Sequence, residues 1–270
     1  MPSAAGKRAT FRELHRAGCF VIPNPWDPGS ARHLASLGFQ ALATTSSGFA
    51  WSQGRRDNHV PLEAVLAHLE TIAGSVAIPV NADFEGGFAR EPAHVAANVR
   101  LAAATGVAGL SIEDSTGDSA EPLFEFGLAV ARVLAAREAL EGTGVLLTAR
   151  TEGFIAGRPD LDETLRRLVA YAEAGAECLY APGVRTREQI AAIVAAVAPR
   201  AVNVLVGGPF TTVAELRALG VRRISVGGAL ARSAWRGFLD AAREIANNGT
   251  FQHLGAAAPS SEVEQPFPRE

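Results

Sequence analysis

The sequence predicts a (β/α)8 barrel, and three observations point to it. Eight short apolar runs recur along the chain, an Ala/Leu/Val-rich stretch of helical spacing separates each from the next, and glycines sit where helices hand over to strands. A parallel sheet of eight strands closes on itself, which favours the barrel over a doubly wound open sheet, the weaker alternative. With 270 residues and 48% hydrophobic content, the chain is long for an ordinary domain yet normal for a barrel, and it can bury a large core.

The predicted strands are the runs 19–22, 41–44, 78–82, 108–112, 145–149, 177–181, 202–206 and 223–226. The intervening segments read as helices: Val95, Val99, Leu101 and Ala102 show the spacing. Capping-box pairs open several of them, namely Asp160 with Glu163, Thr186 with Gln189, and Thr212 with Glu215. Gly38, Gly106, Gly175 and Gly220 stand where C-caps belong. The sequence thus predicts one barrel over 1–254, with an N-terminal helix and a long C-terminal helix starting at Ala229. The Pro/Ser/Glu-rich stretch 255–270 predicts a disordered tail.

Composition excludes several classes. Net charge is −3, with 25 Lys+Arg and 28 Asp+Glu interleaved, and no basic run suits nucleic acid. Cys19 and Cys178 lie far apart within apolar runs, predicting core positions, a reducing compartment and no thiolate metal site. The start carries no apolar signal segment, and no run approaches the roughly 18 apolar residues of a membrane span. The expectation is a soluble, cytoplasmic protein.

Barrel active sites lie at the C-terminal ends of the strands, and there the sequence places polar groups. Asn81-Ala82-Asp83-Phe84-Glu85-Gly86-Gly87-Phe88 follows the third run. Strand alternation would turn Asn81, Asp83 and Glu85 to one side. Carboxylates so placed repel unless a cation or a shared proton neutralises them. Glu113-Asp114 ends the fourth run and Arg150 the fifth. Asp83, Glu85 and Glu113 together could hold Mg²⁺, or Mn²⁺, since hard cations take oxygen ligands and keep several waters; loop caps and salt bridges are the competing reading. Arg150 shares a face with Leu146 and Thr148, so its planar fork could clamp a carboxylate, against an internal ion pair with Glu152 or Glu113. The turn Thr44-Thr45-Ser46-Ser47-Gly48-Phe49 could offer amides to an oxyanion.

The histidines (His15, His33, His59, His68, His94, His253) include no pair at metal spacing, and most fall on predicted helices as surface residues. Gly207-Gly208 and Gly227-Gly228 follow the seventh and eighth runs, where many barrels bind phosphate. No Lys or Arg immediately joins them, and Pro209 removes a donor.

These pieces, with Pro23-Asn24-Pro25-Trp26-Asp27, Ser111-Ile112-Glu113-Asp114, Thr148 through Gly157, and Val202-Asn203-Val204, stand in the order of the isocitrate lyase/phosphoenolpyruvate mutase superfamily, which the chain resembles across most of 20–240. The resemblance implies a Mg²⁺-dependent barrel that binds a small α-keto acid and makes or breaks a bond at C3 through an enolate. It implies that Ser47, Gly48 and Phe49 hold the substrate's carboxylate or keto oxygen, with Asn203 also binding substrate. Asp57 would sit near the metal's water shell, Asp83, Glu85 and Glu113 would position Mg²⁺, and Arg150 would clamp the carboxylate. It further implies a homo-oligomer, a dimer or a tetramer with exchanged C-terminal helices.

One departure matters. The loop Ser115-Thr116-Gly117-Asp118-Ser119-Ala120-Glu121-Pro122-Leu123 holds no Cys, Lys or His. It therefore lacks both the lyase loop motif with its acid cysteine and the lysine- and asparagine-bearing loop of phosphonate-forming members. Asp118, Glu121 or water remain as proton donors. The leading expectation is C3–C4 cleavage of the oxaloacetate type. A mutase or phosphonopyruvate hydrolase activity and a non-catalytic keto-acid binder are the alternatives.

Overall fold

Parallel pairing runs without a break through one eight-stranded sheet in the order β1-β8-β7-β6-β5-β4-β3-β2. The computed structural model describes residues 1–268. The strands are β1 (Phe20–Ile22), β2 (Leu42–Ala43), β3 (Val80–Asp83), β4 (Gly109–Glu113), β5 (Leu146–Arg150), β6 (Cys178–Tyr180), β7 (Ala201–Leu205) and β8 (Arg223–Ser225). Each predicted run overlaps one of them, with β3, β4, β5 and β7 displaced by one residue at an end. Across the seam between β1 and β2, the Ala43 amide donates to the Pro23 carbonyl at 3.1 Å, bringing the sheet close to closure. This is the predicted (β/α)8 barrel.

The helices are α1 (Ala4–Leu14), α2 (Pro28–Ser36), α3 (Ser46–Ser52), α4 (Leu62–Ser75), α5 (Pro92–Ala104), α6 (Phe126–Ala139), α7 (Leu161–Glu173), α8 (Arg187–Val197), α9 (Val213–Ala218), α10 (Ala229–Asn248) and α11 (Ser260–Glu264). Thr186 with Gln189 and Thr212 with Glu215 form reciprocal capping boxes, whereas Asp160 only accepts from the Glu163 amide. Gly38, Gly106, Gly175 and Gly220 all have positive φ, the conformation a helix-ending glycine supplies at least cost.

The core has two main storeys. Between the sheet and its helices packs a large aliphatic cluster including Leu69, Val99, Leu110, Val133, Leu147, Leu168 and Ile193. At the N-terminal end of the barrel, Phe11 of α1 is fully buried against Phe20, Ile22, Ala108, Leu146 and Cys178. The helix is fastened there through backbone carbonyls. Lys7 Nζ donates to Ala73 and Val76 at 2.7 and 2.6 Å, and Arg8 donates to Ala103, Val107 and Thr143.

Three local expectations are corrected. His68 is buried rather than on the surface, because its ring stacks on Phe49 with centroids 3.7 Å apart. Cys178 is buried as predicted, but Cys19 precedes β1 and is partly exposed. The tail 255–270 is not without structure: α11 lies in it, the Val263 carbonyl bonds His33 Nε2 at 2.7 Å, and Phe267 meets the His33 ring edge-on. The last two residues of that predicted tail lie outside the described residues. No helix among the described residues is long and apolar enough to cross a membrane.

Candidate active site

Polar groups meet at the C-terminal ends of β2 to β5. Asp83 ends β3, and its position is fixed from β2: its amide donates to Thr44 Oγ1 at 2.9 Å and its Oδ2 accepts from the Ser46 amide at 3.0 Å. Glu113 ends β4 in direct register with Arg150 at the end of β5. Arg150 Nη1 lies 3.4 Å from Asp83 Oδ1 and 3.1 Å from Glu113 Oε2. Its Nε and Nη2 pair bidentately with Glu152. The guanidinium fork is therefore engaged by Glu152, and the internal ion pair weighed against the clamp is formed. Arg150 still lines the cavity.

Glu85 departs from the prediction. β3 stops at Asp83, and Glu85 takes a left-handed conformation with φ 46°, so strand alternation does not carry it onto the Asp83 face. Its carbonyl accepts from the Glu113 amide at 3.0 Å, keeping the turn against β4. With Glu113 it lines a second cavity of about 390 Å³ bordered by Asn58, Phe88 and Arg132. Arg132 grips this turn through the carbonyls of Gly86, Ala89 and Arg90.

Asp114 has a different role from its neighbour. Buried, it accepts from Tyr171 Oη at 2.7 Å, Thr151 Oγ1 at 2.8 Å, the Glu152 amide at 2.9 Å and Arg167 Nη1 at 3.1 Å. It fixes the turn after β5 and hence the residue that holds Arg150. Half of the predicted acidic pair is thus a structural anchor.

The main cavity, about 150 Å³, is lined by Ser46, Ser47, Asp57, Asp83, Arg150 and Asn203 among others. That is below the roughly 300–1,000 Å³ of drug-sized pockets and suits a small acid. The structure brings Ser47, Asp57 and Asn203 to it as the sequence predicts. It does not bring Phe49, whose ring turns to His68, or Glu121, which is exposed on the loop after β4 with its carbonyl accepting from Thr116. Nor is the turn at 44–49 an open amide nest. It is the start of α3, with Thr45 as N-cap: Gly48 donates to Thr45 Oγ1 and Phe49 to the Thr45 carbonyl, while Ser46 and Ser47 line the cavity and the Ser47 hydroxyl lies 3.1 Å from Thr45 Oγ1. Gly48 leaves no room for a side chain, since a Cβ would lie 2.7 Å from Thr45 Cγ2 and 3.0 Å from Trp26 Cβ.

Burial and mutual repulsion set the charge states. Glu85 is pushed up to about 8, first by burial and then by Asp83 and Asp57. Glu113 is raised by burial against the pull of Arg150, and Glu152 likewise. Asp57 is raised by burial, with a Ser46 hydrogen bond opposing. Arg150 stays firmly charged: burial works against it, but Glu152 and Glu113 more than compensate. Five carboxylates, Asp57, Asp83, Glu85, Glu113 and Glu152, thus influence one another around one guanidinium.

Among the described residues, no group of three or more Asp, Glu, His or Cys side chains is gathered into a metal shell. The predicted trio therefore does not form one as the side chains stand. The donor set nevertheless fits a hard divalent ion. Its donors are oxygens, its acids outnumber the one arginine, and such ions commonly take one or two carboxylates with the remaining positions filled by water and ligand.

Glu152, weighed in the sequence as an ion-pair partner of Arg150, joins the site in that role. Three polar cavity residues were not predicted. Tyr180, Ser225 and Arg223 line the cavity from β6 and β8. Arg223 and Ser225 could have been found by the inward alternation that singled out Arg150. Asn24 ties the rim: its Nδ2 donates to the Thr44 carbonyl and its Oδ1 accepts from the Val226 and Gly227 amides. Those two amides, which a phosphate would need, are committed to Asn24.

The family model described as phosphoenolpyruvate phosphomutase matches residues 11–246. A structure from Burkholderia cenocepacia J2315, described only as a lyase or mutase, is 47% identical with a TM-score of 0.94, covering 98% of this chain and 97% of that one. An oxaloacetate decarboxylase of Pseudomonas putida (strain GB-1) is 30% identical, covering 98% of this chain and 95% of its own. Oxaloacetate acetylhydrolase with its product oxalate superposes with a TM-score of 0.85 at 26% identity, covering 98% and 94%.

Proposed function

The chain belongs to the phosphoenolpyruvate phosphomutase family, and from that premise we propose that it is a divalent-metal-dependent lyase cleaving the C3–C4 bond of a small α-keto acid of the oxaloacetate type. One observation carries the reading: carboxylates from β3 and β4 converge on Arg150 at the open end of a small polar cavity. The oxaloacetate decarboxylase likeness supports cleavage of this bond, and the oxaloacetate acetylhydrolase likeness supports the substrate class.

In this mechanism Asp83 and Glu113, with Glu85 nearby, would hold Mg²⁺ or Mn²⁺, and the ion would supply positive charge against the charge that develops on the substrate. Arg150, which lines the cavity, meets the substrate carboxylate while Glu152 keeps the guanidinium from swinging. The Ser46 and Ser47 hydroxyls and Asn203 fix the substrate's orientation. A proton must reach C3 after the bond breaks. Asp118 and Glu121 are exposed on the loop after β4, whereas Asp57 lines the cavity with its carboxyl raised by burial, so Asp57 supplies that proton.

The test is turnover of a panel of α-keto acids, phosphoenolpyruvate and phosphonopyruvate by purified protein, with Mg²⁺ and with chelator. Cleavage of oxaloacetate that chelator abolishes supports the reading; turnover indifferent to chelator removes the metal. A second reading, a keto-acid binder without catalysis, is favoured by the 115–123 loop, which holds no Cys, Lys or His. Calorimetric binding with no turnover across the panel would select it.

A further inference from the structure

We propose that Arg223 forms a second anion subsite at the floor of the main cavity, selecting a keto acid with a second carboxylate at its far end. This rests on the keto-acid reading above and extends it to a residue at the opposite end of the pocket from Arg150.

Arg223 opens β8 and points into the barrel, 2% exposed, yet it lines the same cavity as Arg150. Barrel interiors are normally filled with branched aliphatic side chains. Here the strands bury the polar residues Asn81, Ser111, Thr148, Asn203 and Arg223 instead. The guanidinium has only neutral partners. Nε donates to Asn203 Oδ1 at 2.9 Å, Nη2 to Thr148 Oγ1 at 3.0 Å, and Nη1 lies 3.4 Å from His15 Nε2. His15 is held neutral at ordinary pH, pushed down to about 3 by burial and then by Arg223 itself. Every ion pair among the described residues involves other groups.

A buried guanidinium has five N–H donors, and three are directed at these partners. A buried charge without a counter-ion is costly unless something compensates it. The mouth has the opposite imbalance, with acids exceeding their single arginine. A dicarboxylate entering with one end at Arg150 would carry its other charge to the floor, where Arg223 has donors to spare. Asn203 is held there independently as well: its Nδ2 donates to Ser225 Oγ at 3.0 Å, beside the bond its Oδ1 accepts from Arg223 Nε.

The alternative is that Arg223 merely fastens β5, β7 and β8 together. Calorimetry on the full chain with Mg²⁺ separates the two, using 3,3-difluorooxaloacetate as the diacid and pyruvate as the monoacid. The unaltered protein should prefer the diacid. Arg223→Met should weaken diacid binding on the order of 10- to 100-fold, the range for one charge-assisted hydrogen bond, leave pyruvate affinity nearly unchanged, and Arg223→Lys should recover part of the loss. Equal weakening of both probes, or no preference in the unaltered protein, would overturn the subsite alone. Binding of neither probe would overturn the keto-acid reading and the subsite with it. If neither variant folds, a crystal of the unaltered chain with the diacid decides: a carboxylate within hydrogen-bond distance of Arg223 supports the subsite, and an untouched floor refutes it.

Discussion

Arg150 and Glu113 occupy the same register position on neighbouring strands, and Nη1 of the arginine lies 3.1 Å from Oε2 of the glutamate. Cross-strand pairing therefore delivers a cation and an anion to one spot at the barrel mouth. The same guanidinium also holds Glu152 and touches Asp83, so it organises the local charge.

Arg150→Ala removes both the clamp and the counter-charge. We expect kcat/KM to fall by roughly 100-fold or more, with much of the loss in KM, since charge-assisted contacts contribute about 1.5–3 kcal/mol each. Arg150→Lys should recover little, because a lysine cannot pair bidentately with Glu152. Steady-state kinetics check both; an unchanged KM in Arg150→Ala excludes the clamp.

Metal and pH should be linked through Glu85. Its carboxyl is raised from 4.5 to about 8, so in the metal-free fold it keeps its proton where the unfolded chain would release it. A raised folded value means its contribution is full below about pH 4.5 and lost as pH climbs through about 8. Metal-free protein should therefore lose thermal stability across that window, and Mg²⁺ should restore it most at the alkaline end. Melting curves at several pH values, with and without Mg²⁺, read this directly. A flat profile would show that Glu85 does not belong to the acidic cluster.

Asp114→Ala takes from buried Arg167 one of its two counter-ions, Glu163 being the other, and frees the turn that positions Glu152. Leaving a buried charge wholly unpaired costs about 3–5 kcal/mol, and Glu163 holds the loss to the lower end of that range. We expect the midpoint of chemical denaturation to drop accordingly, with activity per folded molecule reduced as well. Asp114→Asn should retain part of the stability.

Gly228→Ala tests the rim. A Cβ there would lie 2.7 Å from Ser47 Oγ, while the φ of −71° is one that alanine accepts readily. The hydroxyl must move, so substrate affinity should weaken with little change in melting temperature. Retained affinity would show that Ser47 is not a substrate contact.

Glu121→Gln and Asp57→Asn form a contrasting pair. The first alters an exposed side chain and should leave turnover within about twofold, as surface substitutions usually do. The second alters the cavity carboxyl assigned to proton delivery and should lower kcat by about 100-fold, within the range for general acid catalysis. The reverse result would return the proton donor to the loop after β4.

What could be read from the residues was whatever strand periodicity and spacing determine. The eight strands, the glycine caps and the position of Asp83, Glu113 and Arg150 at strand ends all follow from local pattern. Glu85 was misplaced because alternation was carried past the last strand residue into a left-handed turn, which Gly86-Gly87 signals but does not locate. Phe49 was assigned to the ligand, whereas its partner is His68, a contact between residues far apart in sequence. Arg223 escaped notice because an arginine opening an apolar run reads as a solvated end. Inward alternation with Ser225 would have placed it in the barrel, but its partners, Asn203 on neighbouring β7 and Thr148 on β5, come only from the closed sheet.

The seating of Phe11 beneath the strands gives the barrel a stopper. With that end shut, the molecule is a cup rather than a tube. Whatever is made inside leaves by the route the reactant entered, so a trapped fragment would block the next turnover, and the larger product must be released from the side facing the rim.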